Sequence, residues 1–192
     1  MADHENVVRK PRADAERNRT RLLETAKAAF AENGSDTNLD AIARAAGVGI
    51  GTLYRHFPTR DALIEAVYRN ETTQLAEAAT RLTQTHAPME ALREWMLLFV
   101  DYMETKQGIS EALNSIVGGT SELYAISTEQ MREAIKMLLD RATTNGAVRV
   151  EMDPFDLLRA VAGVAYVGAG PDWKQAARRM VDIVIAGIST KR

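Results

Sequence analysis

The 192-residue sequence contains no cysteine, which excludes disulfide bonds and metal sites built on thiolates. Its three histidines, His4, His56 and His86, lack the paired spacing that a metal site on one helix needs, so we expect no metal and no cofactor. Residues 1–10 are polar, and nowhere do about 18 apolar residues follow one another. We therefore expect a cytoplasmic protein with no membrane partner.

The sequence also lacks the motifs of common enzymes. No Gly-x-Ser-x-Gly segment is present, so nothing predicts the nucleophile of a hydrolase. The glycines of Gly47-Val-Gly-Ile-Gly51 follow no predicted strand and do not complete the spacing of a phosphate-binding loop. We predict that the protein is not an enzyme.

Positive charge is concentrated near the N-terminus, although the formal net charge is only -2. Between residues 9 and 27 the acidic residues are Asp14, Glu16 and Glu24, and the more numerous basic residues are Arg9, Lys10, Arg12, Arg17, Arg19, Arg21 and Lys27. This basic end predicts a surface that binds phosphate groups. We interpret residues 1–13 as a basic arm that lies along a DNA minor groove, with a solvated tail as the alternative.

Apolar residues recur with the period of an α-helix along nearly the whole chain, and this pattern predicts an all-α fold with essentially no sheet. A first helix is expected over residues 14–32, and a long connecting helix follows Thr59 and runs to about His86. Later helices are predicted over residues 92–104, 121–144, 154–167 and 172–188. The predicted organisation is a three-helix unit over residues 14–58 followed by a larger helical body over residues 59–192.

Residues 39–57 read Leu-Asp-Ala-Ile-Ala-Arg-Ala-Ala-Gly-Val-Gly-Ile-Gly-Thr-Leu-Tyr-Arg-His-Phe. They predict two short helices joined by a turn at Gly47, with Ala43, Val48 and Leu53 as the apolar elbow between them. This arrangement is typical of a helix-turn-helix, in which the first helix props the second in the major groove of DNA. The segment resembles the DNA-binding domain of the TetR family of repressors, through its Ala-Gly-Val turn and its Thr-Leu-Tyr-x-His-Phe helix.

The resemblance is close over residues 15–70 and extends to the remainder in size and helical outline. It implies a homodimer that represses transcription by binding palindromic, double-stranded operator DNA and is released by a small-molecule effector. An effector-independent repressor or an architectural DNA-binding protein is the alternative. The C-terminal body resembles the SbtR-like branch of the family.

The DNA-binding candidates come from the family pattern and from the chemistry of helix N-termini, which attract phosphate. They are Thr37, Asn38, Arg44, Gly49, Gly51, Thr52, Tyr54, Arg55, His56, Thr59 and Arg60. Arg55 is suited to guanine or phosphate, and Thr52 to a thymine methyl group or a phosphate oxygen. Gly49 departs from the family, which usually has serine or a similar capping residue there.

Aromatic residues and methionines in the C-terminal half suit an adaptable ligand pocket as well as an ordinary helical core. The candidate effector-binding residues are Trp95, Phe99, Tyr102, Met103, Leu113, Ile116, Val117, Met131 and Ile135. The resemblance implies that this body holds the effector cavity. It also implies that the last two helices pair with those of a second copy in a four-helix dimer interface.

Overall fold

The computed structural model describes residues 9–149, 153–167, 170 and 172–190, with side chains described from Ala13 onward. The helices are α1 (Arg9–Asn33), α2 (Leu39–Ala45), α3 (Ile50–His56), α4 (Arg60–Thr85), α5 (Pro88–Gly108), α6 (Ser110–Asn114), α7 (Ser121–Thr144), α8 (Pro154–Val167) and α9 (Trp173–Ile188). A 3-10 turn, Gly34–Asp36, lies between α1 and α2. The described residues form no strand, only an isolated bridge between Val148 and Ser189. The predicted all-α fold is confirmed.

The first helix begins at Arg9, five positions before the predicted start. Pro11 does not prevent this, because the backbone N–H groups of a first helical turn have no partner within the helix and proline is tolerated there. The side chains of Arg9, Lys10 and Arg12 lie outside the described residues, as do residues 1–8. The predicted arm therefore stays a prediction.

The chain divides into two compact units. The first contains the described residues up to Asn70 together with Gln107–Thr120, and the second contains Glu71–Lys106 together with the described residues from Ser121. The sequence predicts a boundary after Pro58, whereas this division groups the first turns of α4 and all of α6 with the helix-turn-helix. Contacts between residues far apart in sequence cause the difference, since Ser35 donates a hydrogen bond to Glu111 and the N–H of Val117 donates one to Asp61.

The core of the first unit is built around Phe30 at the end of α1, which is 0% exposed. Leu22 and Leu23 of α1, Ile42 of α2 and Leu53 of α3 are buried with it to 2% exposure or less. Each such fully buried side chain stabilises the fold by about 1.5–3 kcal/mol. This core fixes one face of each short helix and leaves the other face in solvent.

The second unit is centred on Trp95 of α5, which is fully buried. Its indole N–H donates a hydrogen bond of 2.8 Å to the backbone carbonyl of Leu75 on α4. The side chain of Arg141 on α7 donates hydrogen bonds of 3.1 Å to the carbonyl of His86, the residue that follows α4. These bonds satisfy polar groups that would otherwise be left unpaired where helices pack.

Ion pairs join α5 to α9 within the second unit. Arg93 contacts Asp182 at 2.8 Å, and Asp101 contacts Arg178 at 2.7 Å and Lys174 at 3.0 Å. Burial raises the pKa of Asp101, but the hydrogen bonds from Arg178 and Lys174 outweigh it and hold that pKa below its ordinary value. Among the described residues, no helix has the length and apolar character needed to cross a membrane.

Candidate nucleic-acid interface

The turn between α2 and α3 has the geometry that the sequence predicts. Asn38 caps α2, since its side-chain oxygen accepts hydrogen bonds from the backbone N–H groups of Asp40 and Ala41 at 2.8 and 3.4 Å. Gly47 ends α2 with a φ of +67°, a left-handed conformation that favours glycine. Val48 then donates a backbone bond of 2.9 Å to Ala43, which closes the turn.

The helix α3 has one face in the core and one in solvent. Leu53 and Phe57 are buried at 0% and 3% exposure, whereas Tyr54 and Arg55 between them are exposed. Tyr54 keeps 47% of its surface exposed. The exposed face of α3 therefore consists of side chains that hydrogen-bond, which matches the reading helix of a helix-turn-helix.

The glycines at the start of α3 are not required by the fold. Neither Gly49 nor Gly51 adopts a positive φ, and a methyl group built at either position meets no atom within 4 Å. Gly49 occupies the N-cap position without any side-chain bond. Thr52 and His56 are half-buried on this helix. Because Gly49 and Gly51 have no side chains, the backbone at the start of α3 is nearly bare toward a partner.

Other predicted contacts lie in the last turn of α2 and at the starts of α2 and α4. Thr59 is exposed and caps α4, since its hydroxyl accepts a bond of 3.0 Å from the N–H of Ala62. Arg44 is exposed on α2, and its Nε donates a hydrogen bond of 3.4 Å to the carbonyl of Asp40. Thr37 is 5% exposed, and its hydroxyl lies 2.9 Å from the carbonyl oxygen of Gly34, to which it donates. Thr37 thus offers a partner its backbone rather than its side chain.

The structure places Arg60 differently from the predicted phosphate contact. Its Nη1 donates to the carbonyl of Thr37 at 2.6 Å, and its Nη2 donates to the carbonyl of Ser35 at 2.5 Å. The guanidinium also lies 5.3 Å from the centre of the Phe30 ring. These internal contacts hold the 3-10 turn against the start of α4, so Arg60 positions α2 rather than facing outward.

Basic residues of α1, which the sequence predicts only as part of a phosphate-binding N-terminal surface, lie beside the helix-turn-helix. Arg19 lies over the ring of Phe57 at 5.7 Å, immediately after α3. Arg21 is exposed next to the Gly47 turn, and its Nη2 donates to Asn18 at 2.6 Å. Arg17 is exposed one helical turn earlier and pairs with Asp14. These arginines are two and four positions apart, and this spacing is the sequence feature that could have predicted a basic face beside the turn.

The candidate effector residues are divided between the two units. Buried in the second unit, at 7% exposure or less, are Trp95, Phe99, Tyr102, Met103, Met131 and Ile135. Leu113 and Ile116 are buried in the first unit. Val117 is 88% exposed, so its side chain lies in solvent rather than in the predicted pocket wall.

The structure has two short helices joined by a glycine turn, and the second of them is a recognition helix with an exposed polar face. These features define the class of a helix-turn-helix DNA-binding regulator. Comparison with protein families agrees: residues 22–67 match the bacterial regulatory proteins of the tetR family, and residues 87–190 match the SbtR-like C-terminal domain of transcriptional regulators. The chain therefore belongs to the TetR family of transcriptional regulators and is a DNA-binding regulator rather than an enzyme.

Solved structures and curated relatives give the same assignment. A TetR transcriptional regulator from Streptomyces coelicolor is 40% identical, covers 91% of this chain and 99% of its own, and superposes with a TM-score of 0.81. A TetR regulatory protein from Mycobacterium vanbaalenii is 32% identical, with coverages of 93% and 99% and a TM-score of 0.75. The HTH-type transcriptional regulator UidR of Escherichia coli is 32% identical over 64% of this chain, and the match spans only 55% of UidR. The probable acrEF/envCD operon repressor of Escherichia coli is 26% identical over 87% of this chain and 80% of its own length.

Proposed function

We propose that this protein is a dimeric repressor that binds a palindromic operator and leaves it when a small molecule binds the C-terminal body. The observation that carries the DNA-binding part is the exposed face of α3, where Tyr54 and Arg55 lie in solvent between buried Leu53 and Phe57. Repression is the proposed direction because curated relatives include a repressor of an operon.

In the proposed complex, Arg55 reads a base edge in the major groove, and Thr52, Tyr54 and His56 contact bases or phosphates beside it. The backbone at Gly49 and Gly51 approaches the DNA closely. Asn38, Thr59, Arg44 and the backbone of Thr37 contact phosphates at the ends of α2 and α4. Arg17 and Arg21 extend the positive surface along α1, where both are exposed.

The dimer is proposed to form through α8 and α9. Their exposed apolar side chains support this, since Tyr166, Val167 and Ile183 keep 77%, 91% and 64% of their surfaces in solvent. Large exposed apolar groups on two packed helices are typical of a protein interface. An open groove of about 610 Å³, lined by residues that include Gly163, Val164 and Trp173, adds concave surface to the same helices.

Such a dimer presents two copies of α3 to one face of a duplex. Operator half-sites recognised by helix-turn-helix dimers lie about 34–36 Å apart, one turn of DNA. An effector that favours a different spacing of the two reading helices weakens binding by its difference in affinity for the two states.

The segment Gln107–Thr120 supports the coupling between effector and DNA. It connects α5 to α7, which carry most of the candidate effector residues, yet it packs in the unit that contains the helix-turn-helix. Glu111 of this segment accepts a hydrogen bond from Ser35, and the N–H of Val117 donates a hydrogen bond of 3.0 Å to Asp61 at the start of α4. A ligand that moves α5 or α7 therefore acts on a segment bonded to the DNA-binding unit.

The effector-independent alternative is favoured by a different observation. Trp95 and Ile135 are both 0% exposed, as expected of residues that fill an ordinary core. Finding a small molecule that weakens operator binding contradicts this alternative.

The proposal is tested by nuclease footprinting on the DNA upstream of the protein's own gene, with and without a competitor duplex of unrelated sequence. We expect one protected region that contains two symmetric half-sites about one turn apart. A monomer in solution that protects a single half-site, or equal protection of the competitor, contradicts the proposal.

A further inference from the structure

Three charged side chains of α9 form one stripe along the helix. Lys174, Arg178 and Asp182 are four positions apart, and this spacing places them on one face. The neighbouring stripe carries Ala177 and Val181, the residues of α9 that are buried. Because apolar burial is non-directional, two such small side chains specify the position of α9 along its own axis less sharply than charges can.

Each charge of this stripe contacts an opposite charge on α5, within the second unit. The pairs are Lys174 with Glu104 at 2.5 Å and with Asp101 at 3.0 Å, Arg178 with Asp101 at 2.7 Å, and Asp182 with Arg93 at 2.8 Å. Residue numbers rise on one helix as they fall on the other, so the two helices are antiparallel along this seam. These six residues are called the charge ladder below.

The sign of the charge changes along the ladder, because α9 is positive at Lys174 and Arg178 but negative at Asp182. A slip of α9 by one helical turn, about 5.4 Å, in one direction brings Asp182 opposite Asp101. A slip in the other direction brings Arg178 opposite Arg93. Like charges repel in both cases, so every pair attracts in the observed register and one pair repels after either slip.

The ladder is more than a set of isolated surface pairs. Its side chains stay partly exposed, and a single exposed ion pair contributes little to stability. Here Asp101 bonds two cations, and Arg93 also bonds Glu94 at 2.9 Å, so the charges form networks. Like-charge contacts also discriminate against the wrong arrangement, even where the correct one gains little net stability.

The register of α9 shapes the surface proposed for the dimer. The open groove on that surface is lined by both helices, with Gly163 and Val164 on α8 and Trp173 on α9 among its residues. The exposed side chain of Ile183 comes two positions after buried Val181 and therefore lies on the opposite side of α9. An axial slip of α9 changes which of its side chains lie beside those of α8, and with them the shape presented to a second copy.

We propose that the charge ladder holds α9 in one register and thereby fixes the shape of the face through which two copies associate. Arg93 and Asp101 are positioning residues in this arrangement, since they act through α9 and need no contact with the second copy. The inference rests on the proposed function, because it concerns the dimer that the proposed function requires.

Reversal of one ladder charge tests the inference. Asp182→Arg places a cation opposite Arg93, and the dissociation constant of the dimer, measured by sedimentation equilibrium, is expected to rise about fivefold or more. The difference from the parent is expected to shrink between about 0.05 and 0.5 M NaCl, because salt screens charges. A merely structural defect at residue 182 has no such dependence on salt.

The double variant Arg93→Asp with Asp182→Arg restores an opposite pair. Its dissociation constant is expected to return to within about twofold of the parent value, since the observed register still makes every attractive pair and a slipped register loses one. Asp182→Asn removes the charge without adding repulsion, so it replaces Asp182→Arg if a thermal melt shows that the reversed variant is unfolded. A smaller increase, about twofold, that also shrinks with salt is expected for it.

The matched control is Asp140→Arg, which changes the net charge by the same amount as Asp182→Arg. Asp140 pairs with Lys136 at 2.5 Å within α7 and lies outside the ladder. This variant is expected to dimerise like the parent protein.

The inference is overturned if Asp182→Arg dimerises like the parent, if the double variant stays as weak as the single one, or if the loss is independent of salt. A dimer that binds the operator but does not respond to the ladder variants leaves the proposed function standing and removes only this inference. A parent protein that stays monomeric at every concentration contradicts the proposed dimer, and the inference with it.

Discussion

The hydroxyl of Ser35 donates a hydrogen bond of 2.9 Å to the carboxylate of Glu111, 76 positions further along the chain. Ser35 lies in the 3-10 turn that leads into α2, and Glu111 lies in α6. The preceding residue, Gly34, has a φ of +52° and lies against the same carboxylate. A side chain from the second half of the sequence therefore helps to hold the turn that orients the helix-turn-helix.

Gly34→Ala is expected to destabilise the protein by about 1–3 kcal/mol, because an L-residue is strained at positive φ and because the new methyl group displaces the Glu111 carboxylate that accepts the hydrogen bond from Ser35. Urea unfolding measures the change. Gly146→Ala is the matched control, since Gly146 also has a positive φ of +74° but has open space around it. A loss no larger at Gly34 than at Gly146 contradicts the role given to Glu111.

Arg55→Ala is expected to weaken operator binding by about 1–3 kcal/mol, the usual contribution of a side chain that reads a base. Fluorescence anisotropy with a labelled operator duplex measures the change. Arg81→Ala is the control, because Arg81 is an arginine of α4 with 63% side-chain exposure, paired with Glu77. Equal binding by Arg55→Ala and the parent protein removes Arg55 from the interface.

Gly51→Ala separates folding from DNA binding. Alanine in a helix is favoured over glycine by about 0.5–1 kcal/mol, so the variant is expected to be more stable. Operator binding is expected to fall, since the added methyl group has free space in the protein and meets the DNA instead. Unfolding and anisotropy are measured on the same sample, and a stabilised variant that binds the operator normally contradicts close approach of the backbone.

Asp101 predicts a dependence of stability on acid pH. Its pKa is lowered in the folded protein, where the opposing effect of burial is outweighed by hydrogen bonds from Arg178 and Lys174. A carboxyl group of this kind stabilises the fold above its ordinary pKa of about 3.9, and that contribution is lost as the pH falls through the lowered value. Asp101→Asn is therefore expected to lower the melting temperature at neutral pH, with the difference from the parent shrinking below about pH 4. A difference that is constant with pH contradicts the ion pair as its cause.

Much of the helix-turn-helix geometry could be predicted because its signals are local. Asn38 caps the helix that begins at the next residue, and Gly47 ends that helix through its own backbone conformation. Apolar Leu53 and Phe57 are four positions apart, and polar Tyr54 and Arg55 lie between them. The buried and exposed faces of α3 therefore follow from residue type. Residues fewer than five positions apart carry this information.

The positions of Arg60 and Val117 could not be predicted in the same way. Residue type predicts that Arg60 contacts a phosphate and that Val117 lines a pocket. The actual surroundings of both side chains depend on residues distant in sequence. Arg60 has carbonyl partners more than twenty positions away, and Val117 follows a short helix and lies in solvent. Local patterns contain no information about such contacts.

The sequence by itself determined the succession of helices, their caps and the outward face of α3, because helical periodicity and capping act over a few neighbouring residues. Only the tertiary structure decided that α6 packs with the N-terminal helices, that Arg60 holds the turn before α2, and that Trp95 donates to the carbonyl of Leu75. Those arrangements depend on which distant surfaces bury each other most favourably, and that choice is made by the whole folded chain.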